Sequence, residues 1–219
     1  MHDDPGSERT RVKREPQRGQ YGRAAINAIL DAGMVAHVGF VSDKNQPFVI
    51  PMLYVRDGDR LLIHGSSASR LLTTAGGGID ICVTVTIADG LVVARSAFNS
   101  SLNYRSVVVL GRAGAIEELG AKWDALRRLT DGLIPGRWDD CRQPTELELK
   151  ATMILEMPLD EASAKIRTGG PNDDEEDLVT NYWAGVIPFA KHTLEPVAHE
   201  KLRDDVKLPD YLRRWKKEV

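Results

Sequence analysis

The sequence predicts a mainly β fold, most simply a small antiparallel barrel with helices at its margins. Three observations carry this. Strand-like runs at 34–41, 48–55 and 60–64 follow one another with only short turns between them; consecutive strands joined this way form an antiparallel meander and exclude a doubly wound parallel sheet. Residues 79–88 alternate, with Ile79, Ile81, Val83, Val85 and Ile87 on one face and Asp80, Cys82, Thr84 and Thr86 on the other. Residues 104–115 contain Val107, Val108, Val109 and Leu110, apolar on both faces. That pattern implies cover on both sides, by a second layer or a second subunit.

Each element has its own local reason. Residues 1–20 carry Arg9, Arg11, Lys13, Arg14 and Arg18 among Asp, Glu, Pro and Gly. They read as a flexible, solvated basic tail, with an arm reaching over a neighbouring subunit as the alternative. A helix at 23–32 has an apolar stripe from Ala24, Ala25, Ile26, Ala28, Ile29 and Leu30, and Gly33 ends it. Lys44-Asn45-Gln46-Pro47 marks a turn, and Pro51 places the second strand at an edge or a bulge, because proline has no N–H to give to a ladder. Arg56-Asp57-Gly58-Asp59 is a hairpin signal. A short helix at 70–75 is stopped by Gly76-Gly77-Gly78, which lack the following Lys and Ser or Thr of a nucleotide loop.

Asp89-Gly90 predicts a turn into 91–96, completing another hairpin, and 98–103 reads as a loop. Trp123, Leu126, Leu129 and Leu133 give helical spacing over 120–133, stopped by Pro135-Gly136. A helical turn is predicted at 144–150, strands at 152–158 and 162–168, an exposed acidic loop through 173–177, and a strand at 182–189. The barrel domain thus spans 21–190, and 191–219 is a C-terminal extension with a short helical stretch at 211–215.

The 219 residues, 42% apolar and 28% charged, suit one soluble globular domain. A net charge of −3 gives no general attraction to nucleic acid or to an acidic membrane surface. Two cysteines, Cys82 and Cys141, are too few for a disulfide framework and point to a reducing cytoplasm. The first 22 residues lack the apolar segment of a targeting signal, and Asp80, Asp89 or Arg105 breaks every apolar stretch short of the ~20 residues of a membrane helix. The expectation is a cytoplasmic protein with neither membrane nor nucleic-acid partner.

Chemistry concentrates in 61–72, LLIHGSSASRLL, where an apolar strand runs into His64, Gly65, Ser66, Ser67, Ser69 and Arg70. Free N–H groups at a helix start, small hydroxyls and a guanidinium together favour a bound phosphate. The same residues also read as a capping serine, a surface arginine and a strand-end histidine bonded to a carbonyl. No Ser-His-Asp order, nucleophile elbow or HExxH helix is present, and His37, His192 and His199 form no metal-ligand spacing. A hydrolase is disfavoured. A flavin enzyme is not, because the cofactor carries its own hydride chemistry.

Tyr104-Arg105-Ser106-Val107 followed by Gly111-Arg112-Ala113, downstream of HGSSASR and of VIPMLYVRDGDRLLIHG, resembles the flavin-nucleotide-binding branch of the pyridoxamine 5'-phosphate oxidase-like superfamily, which includes the nitroimidazole-resistance proteins. The resemblance covers about residues 21–189. It implies a six-stranded antiparallel split β-barrel of the FMN-binding type, a homodimer with FMN at the subunit interface. By motif, Ser69 and Arg70 stand at the phosphate positions, and His64, Gly65 and Ser66 line the strand end beside the flavin. Val49, Ile50, Pro51 and Met52 offer backbone contacts to the ring, Tyr104, Arg105 and Ser106 lie on the strand brought near the cofactor, and Trp183 covers the ring edge. The Arg-x-His segment that holds the vitamin substrate of true pyridoxamine phosphate oxidases has no counterpart in LPDYLRRWKKEV, and Ser69 stands where nitroimidazole-resistance proteins carry histidine. The resemblance therefore implies an FMN-dependent oxidoreductase taking electrons from NADH or NADPH to an unidentified small acceptor. The rival is a non-catalytic protein storing or sensing flavin or haem, for which His37 and His64 are candidate ligands; a deazaflavin is a third possibility.

Overall fold

The computed structural model describes residues 4–66 and 78–216. In chain order the elements are β1 (Gly19–Gln20), α1 (Arg23–Ala32), β2 (Val35–Val41), β3 (Pro47–Asp57), β4 (Arg60–Ser66), β5 (Ile79–Val93), β6 (Ser101–Ala115), α2 (Leu119–Leu133), α3 (Glu146–Ala151), β7 (Thr152–Pro158), β8 (Glu161–Arg167), β9 (Gly185–Pro188) and α4 (Asp210–Arg213). Six strands close on themselves in the order β6-β7-β4-β3-β2-β5, because β5 pairs with β6 as well as with β2. One edge of β6 is shared: β8 takes Tyr104 to Leu110 and β7 takes Gly114 and Ala115. That shared edge is the split of a six-stranded antiparallel split barrel, and closure removes the exposed edges an open sheet would leave.

Strand alternation fills the interior. Ala36, Val38 and Phe40 of β2, the odd-numbered residues of β5 from Ile79 to Ile87, Leu61 and Ile63 of β4, Val107 and Val109 of β6, and Leu155 and Met157 of β7 form one buried cluster. Helix α1 adds Ile26, Ile29 and Leu30 to it. The Tyr54 hydroxyl donates to the Leu30 carbonyl at 2.5 Å, tying α1 to β3. Gly33 permits that closeness, since a Cβ there would lie 2.5 Å from the Tyr54 hydroxyl. Helix α2 packs on the outside, where Ala125 and Leu129 meet Leu62, Ile154 and Ile116 in a second cluster with Val55 and Leu126 at its margin.

Most predicted elements are present, and six regions differ. Asp89-Gly90 does not end a strand: β5 runs through it with a register shift between Ala88 and Gly90. The extra residue makes a bulge, and the glycine serves close approach, since a Cβ at Gly90 would lie 2.9 Å from the Ile187 carbonyl of the adjacent β9. The predicted loop at 98–103 is shorter, because β6 begins at Ser101. The strand predicted at 182–189 is confined to β9.

The basic segment expected to be a solvated tail lies, from residue 4, along the barrel. Thr10 is buried, Arg9 pairs with Glu161, the Val12 N–H donates to the Tyr21 hydroxyl at 2.8 Å, and Gly19 and Gln20 pair with Lys165 and Ala164 of β8. The acidic run is not wholly exposed either: the Asp173 side chain is 2% accessible and binds the Arg95 guanidinium at 2.6 Å. The short C-terminal helix falls at Asp210–Arg213, slightly before its predicted place, and Trp215 Nε1 donates to the Leu133 carbonyl at 3.0 Å. Gly76, Gly77 and the helix predicted at 70–75 lie outside the described residues. No described helix is long and apolar enough to cross a membrane.

Candidate functional site: the outer face of β3 and β4

The β3–β4 hairpin sets Val55 opposite Leu62, and both lie beneath α2. Gly132 of α2 approaches so closely that a Cβ there would be 2.5 Å from Val55 Cγ1. Two residues further along each strand, on the same face, stand Leu53 and His64. Pro51 and Val49 continue that row on β3, beyond the helix, where Leu53 is 41% and Val49 68% exposed. Register brings Val35, His37 and Gly39 of β2 opposite Leu53, Pro51 and Val49. Thr84 and Cys82 of β5 then lie opposite His37 and Gly39. The result is an apolar wall of β3 and β2 side chains continuing into a small polar floor on β5.

Of the four β3 residues predicted near the ring, Val49 and Pro51 face outward. Ile50 and Met52 pack against the core, so they meet an outer ligand only through their backbone. That backbone is partly available. Strand β3 pairs with β2 from Pro47 to Leu53, whereas its pairing with β4 begins at Tyr54, so its other edge has no strand partner among the described residues. The predicted edge character of Pro51 belongs to this stretch.

His64 is the most unusual group here. Its Nδ1 is buried with no hydrogen-bond partner among the described residues, and burial pushes its pKa below the ordinary histidine value. The imidazole is therefore neutral at pH 7, with a nitrogen available to a ligand. Leaving such an atom unsatisfied costs about 1–3 kcal/mol, which a bound acceptor, donor or metal would relieve. Gly65 and Ser66 extend β4 opposite Met153 and Thr152. The Ser66 side chain, Ser69 and Arg70 lie outside the described residues.

Tyr104, Arg105 and Ser106 are not brought to the His64 corner within one chain: Ser106 pairs with Thr86 of β5, three strands round the barrel from Leu53. His64 pairs with Ile154, adjacent to the Leu155 that meets Ala115 at the end of β6. On that side Ser106 is nine residues from Ala115, roughly 30 Å along β6 at ~3.3 Å per residue. Arg105 is occupied, its guanidinium donating to the Asp89 carboxylate at 2.7 and 3.0 Å, a hydrogen bond that raises its pKa further. The Ser106 hydroxyl donates to the Lys165 carbonyl at 3.3 Å, and Tyr104 lines a separate polar cleft. Trp183 is 64% exposed and lies against Gly185 before β9, not beside His64. Leu53, Val35, Thr84 and Cys82 escaped the sequence reading. Their signal was parity: each continues, by alternation or cross-strand register, the outer row that contains His64. Among the described residues no three His, Cys, Asp or Glu side chains cluster as metal ligands.

Residues 22–166 match the family described as pyridoxamine 5'-phosphate oxidase. The chain is similar to the flavocytochrome Anf3 of Azotobacter vinelandii, with 43% identity over 98% of this chain and 99% of that one and a TM-score of 0.93. It is also similar to a FAD and heme binding protein of Mycobacterium smegmatis, with 36% identity over 92% and 98% of the two chains and a TM-score of 0.86. A protein of Bacteroides thetaiotaomicron, named as a candidate 5-nitroimidazole antibiotic resistance protein, shares the fold at 18% identity over 68% and 86%, with a TM-score of 0.58. No curated protein sequence matches. The fold, the family match and the two long, well-conserved likenesses agree: the chain belongs to the pyridoxamine 5'-phosphate oxidase-like superfamily.

Proposed function

We propose that the protein is a flavin-binding oxidoreductase that accepts electrons from NADH or NADPH, holds its flavin between two copies of the chain, and carries haem as a second redox group. The observation that carries this reading is the 43% identity, across nearly the whole of both chains, to a flavocytochrome. The motif resemblance favours FMN, whereas the relative named for FAD and haem favours FAD. Both share the isoalloxazine ring, which when bound supplies the hydride and electron transfer.

The chain's own residues fit such a group. Val49, Leu53 and Val35 offer exposed apolar area against which a ring loses water, and the β3 edge that has no strand partner among the described residues offers backbone donors and acceptors. His64 offers a neutral nitrogen, suited to a haem iron or to a hydrogen bond with a flavin. A second copy supports the site in two ways. It would cover the bare face, and it would bring Tyr104 to Ser106 within reach of the His64 corner from which they are separated in one chain.

Titration of the purified protein with FMN, FAD and hemin, read by visible absorption and by sedimentation, tests the proposal. Flavin uptake by a dimer, with bleaching by NADH or NADPH and recovery with an acceptor, is the expected result. A protein that takes up neither flavin overturns it. The orphaned His64 nitrogen also suits a non-catalytic haem carrier, and that reading prevails if cofactor binds but no nicotinamide nucleotide reduces it.

A further inference from the structure

Far from His64, the N-terminal segment closes a polar cleft of about 530 Å³ against the starts of β6 and the end of β8. Four cations line it: Arg14 and Arg18 from the segment, Lys165 and Arg167 from β8. One lining carboxylate opposes them, Glu15, whose Oε2 receives Arg18 at 3.2 Å and Gln17 Nε2 at 2.7 Å. Nearby acidic groups are committed elsewhere, Asp173 to Arg95 and Asp174 to Asn99. The Arg14 guanidinium has no partner among the described residues. Arg167 is 7% exposed and is held by Asn103 and by the Gly170 carbonyl, with no carboxylate.

The cleft is built rather than incidental. Lys165 Nζ donates to the Arg14 carbonyl at 2.8 Å, fixing the segment over β8. Glu15 at the rim adopts a left-handed conformation, φ 54° and ψ 58°, which a residue with a Cβ rarely holds unless its surroundings impose it. Two aromatic rings, Tyr104 and Phe98, also line the cleft, and Phe98 is 93% exposed on the turn between β5 and β6. Cations concentrated around a concave site bind phosphate, and an exposed ring beside them offers a stacking surface to a base.

We propose that this cleft binds the phosphate-bearing adenosine end of a nucleotide, with Arg14, Arg18 and Lys165 on the phosphates and Phe98 against the base. A flavin with a diphosphate tail and a free nicotinamide nucleotide carry the same group. The assignment is independent of the flavin reading, because ADP alone is a sufficient probe.

Full-length protein is titrated with ADP by calorimetry at low salt, then again as Arg14→Ala/Arg18→Ala. Both side chains are on the surface segment and outside the barrel core, so the thermal midpoint should stay unchanged. ADP affinity should fall at least tenfold, and 0.5 M salt should weaken wild-type binding similarly, as about one Debye length of ~4 Å then screens the contacts. Loss of FAD affinity with FMN affinity kept identifies the flavin tail as the source; a raised KM for NADPH with FAD binding kept identifies the nicotinamide nucleotide. A wild type that ignores ADP, or a double variant that binds it equally well, overturns the site.

Discussion

The outer face of the β3–β4 hairpin has two halves built from the same strands in the same pleat. In the first, Val55 and Leu62 are sealed beneath α2, which comes close enough for Gly132 to touch Val55. In the second, Leu53, Pro51, Val49 and His64 continue the row with no helix above them among the described residues. The first half holds the hairpin to its helix. The second leaves exposed apolar area and, among the described residues, a buried nitrogen without a partner, both of which cost stability unless something covers them. The difference separates residues that keep the fold from residues that, on the proposed reading, meet a ligand or a second copy.

Substitutions on the two halves should therefore part company. Leu62→Ala opens a cavity at a fully buried position and should cost about 2–5 kcal/mol in urea unfolding. Flavin bound per folded molecule should be unchanged. Gly132→Ala forces a methyl onto Val55 and should cost about 1–3 kcal/mol through overpacking, less whatever the helix gains from losing a glycine. A neutral result would mean that α2 can shift, blurring the boundary between the halves.

On the bare half, Val49→Asp should alter monomer stability by only about 0.5 kcal/mol, as surface changes do. Its effect should appear in sedimentation, as a dimer at least tenfold weaker; an unaltered dimer would place the interface elsewhere. His64→Phe sharpens the comparison by pH. Burial holds the folded pKa of His64 below its unfolded value of 6.5, so as pH falls the unfolded chain takes up the proton first. The wild type should lose stability relative to His64→Phe as pH drops from 6.5 toward the folded pKa, with no difference accruing above 7. Denaturation curves at pH 5 and pH 8 read this small effect, and a difference of the opposite sign would mean that the imidazole is charged in the fold.

Much of this was legible in the chain. The alternation at 79–88 and the Asp57-Gly58 turn reported β5 and the β3–β4 hairpin correctly, because period and turn chemistry are local. Asp89-Gly90 misled for the same reason. It has the composition of a turn, yet its glycine answers to the backbone of β9, nearly a hundred residues later. The solvated tail failed likewise: its charges are real, but Glu161, Lys165 and Tyr21 were not visible as its partners. In the candidate site, His64, Val49 and Pro51 were named from motif. Leu53, Val35, Thr84 and Cys82 required register.

By itself the sequence determined the strand periods, the hairpin turns, the helix stops and the motif order that marks the superfamily, because each is encoded in neighbouring residues. Tertiary structure alone decided that Arg105 is occupied by Asp89, that α2 packs over Val55 and Leu62, and that Ser106 meets Thr86, four strands round the barrel from the His64 corner. Those facts depend on which strands close the barrel and in what register. A ring closed between residues far apart in the chain leaves no trace in any local pattern.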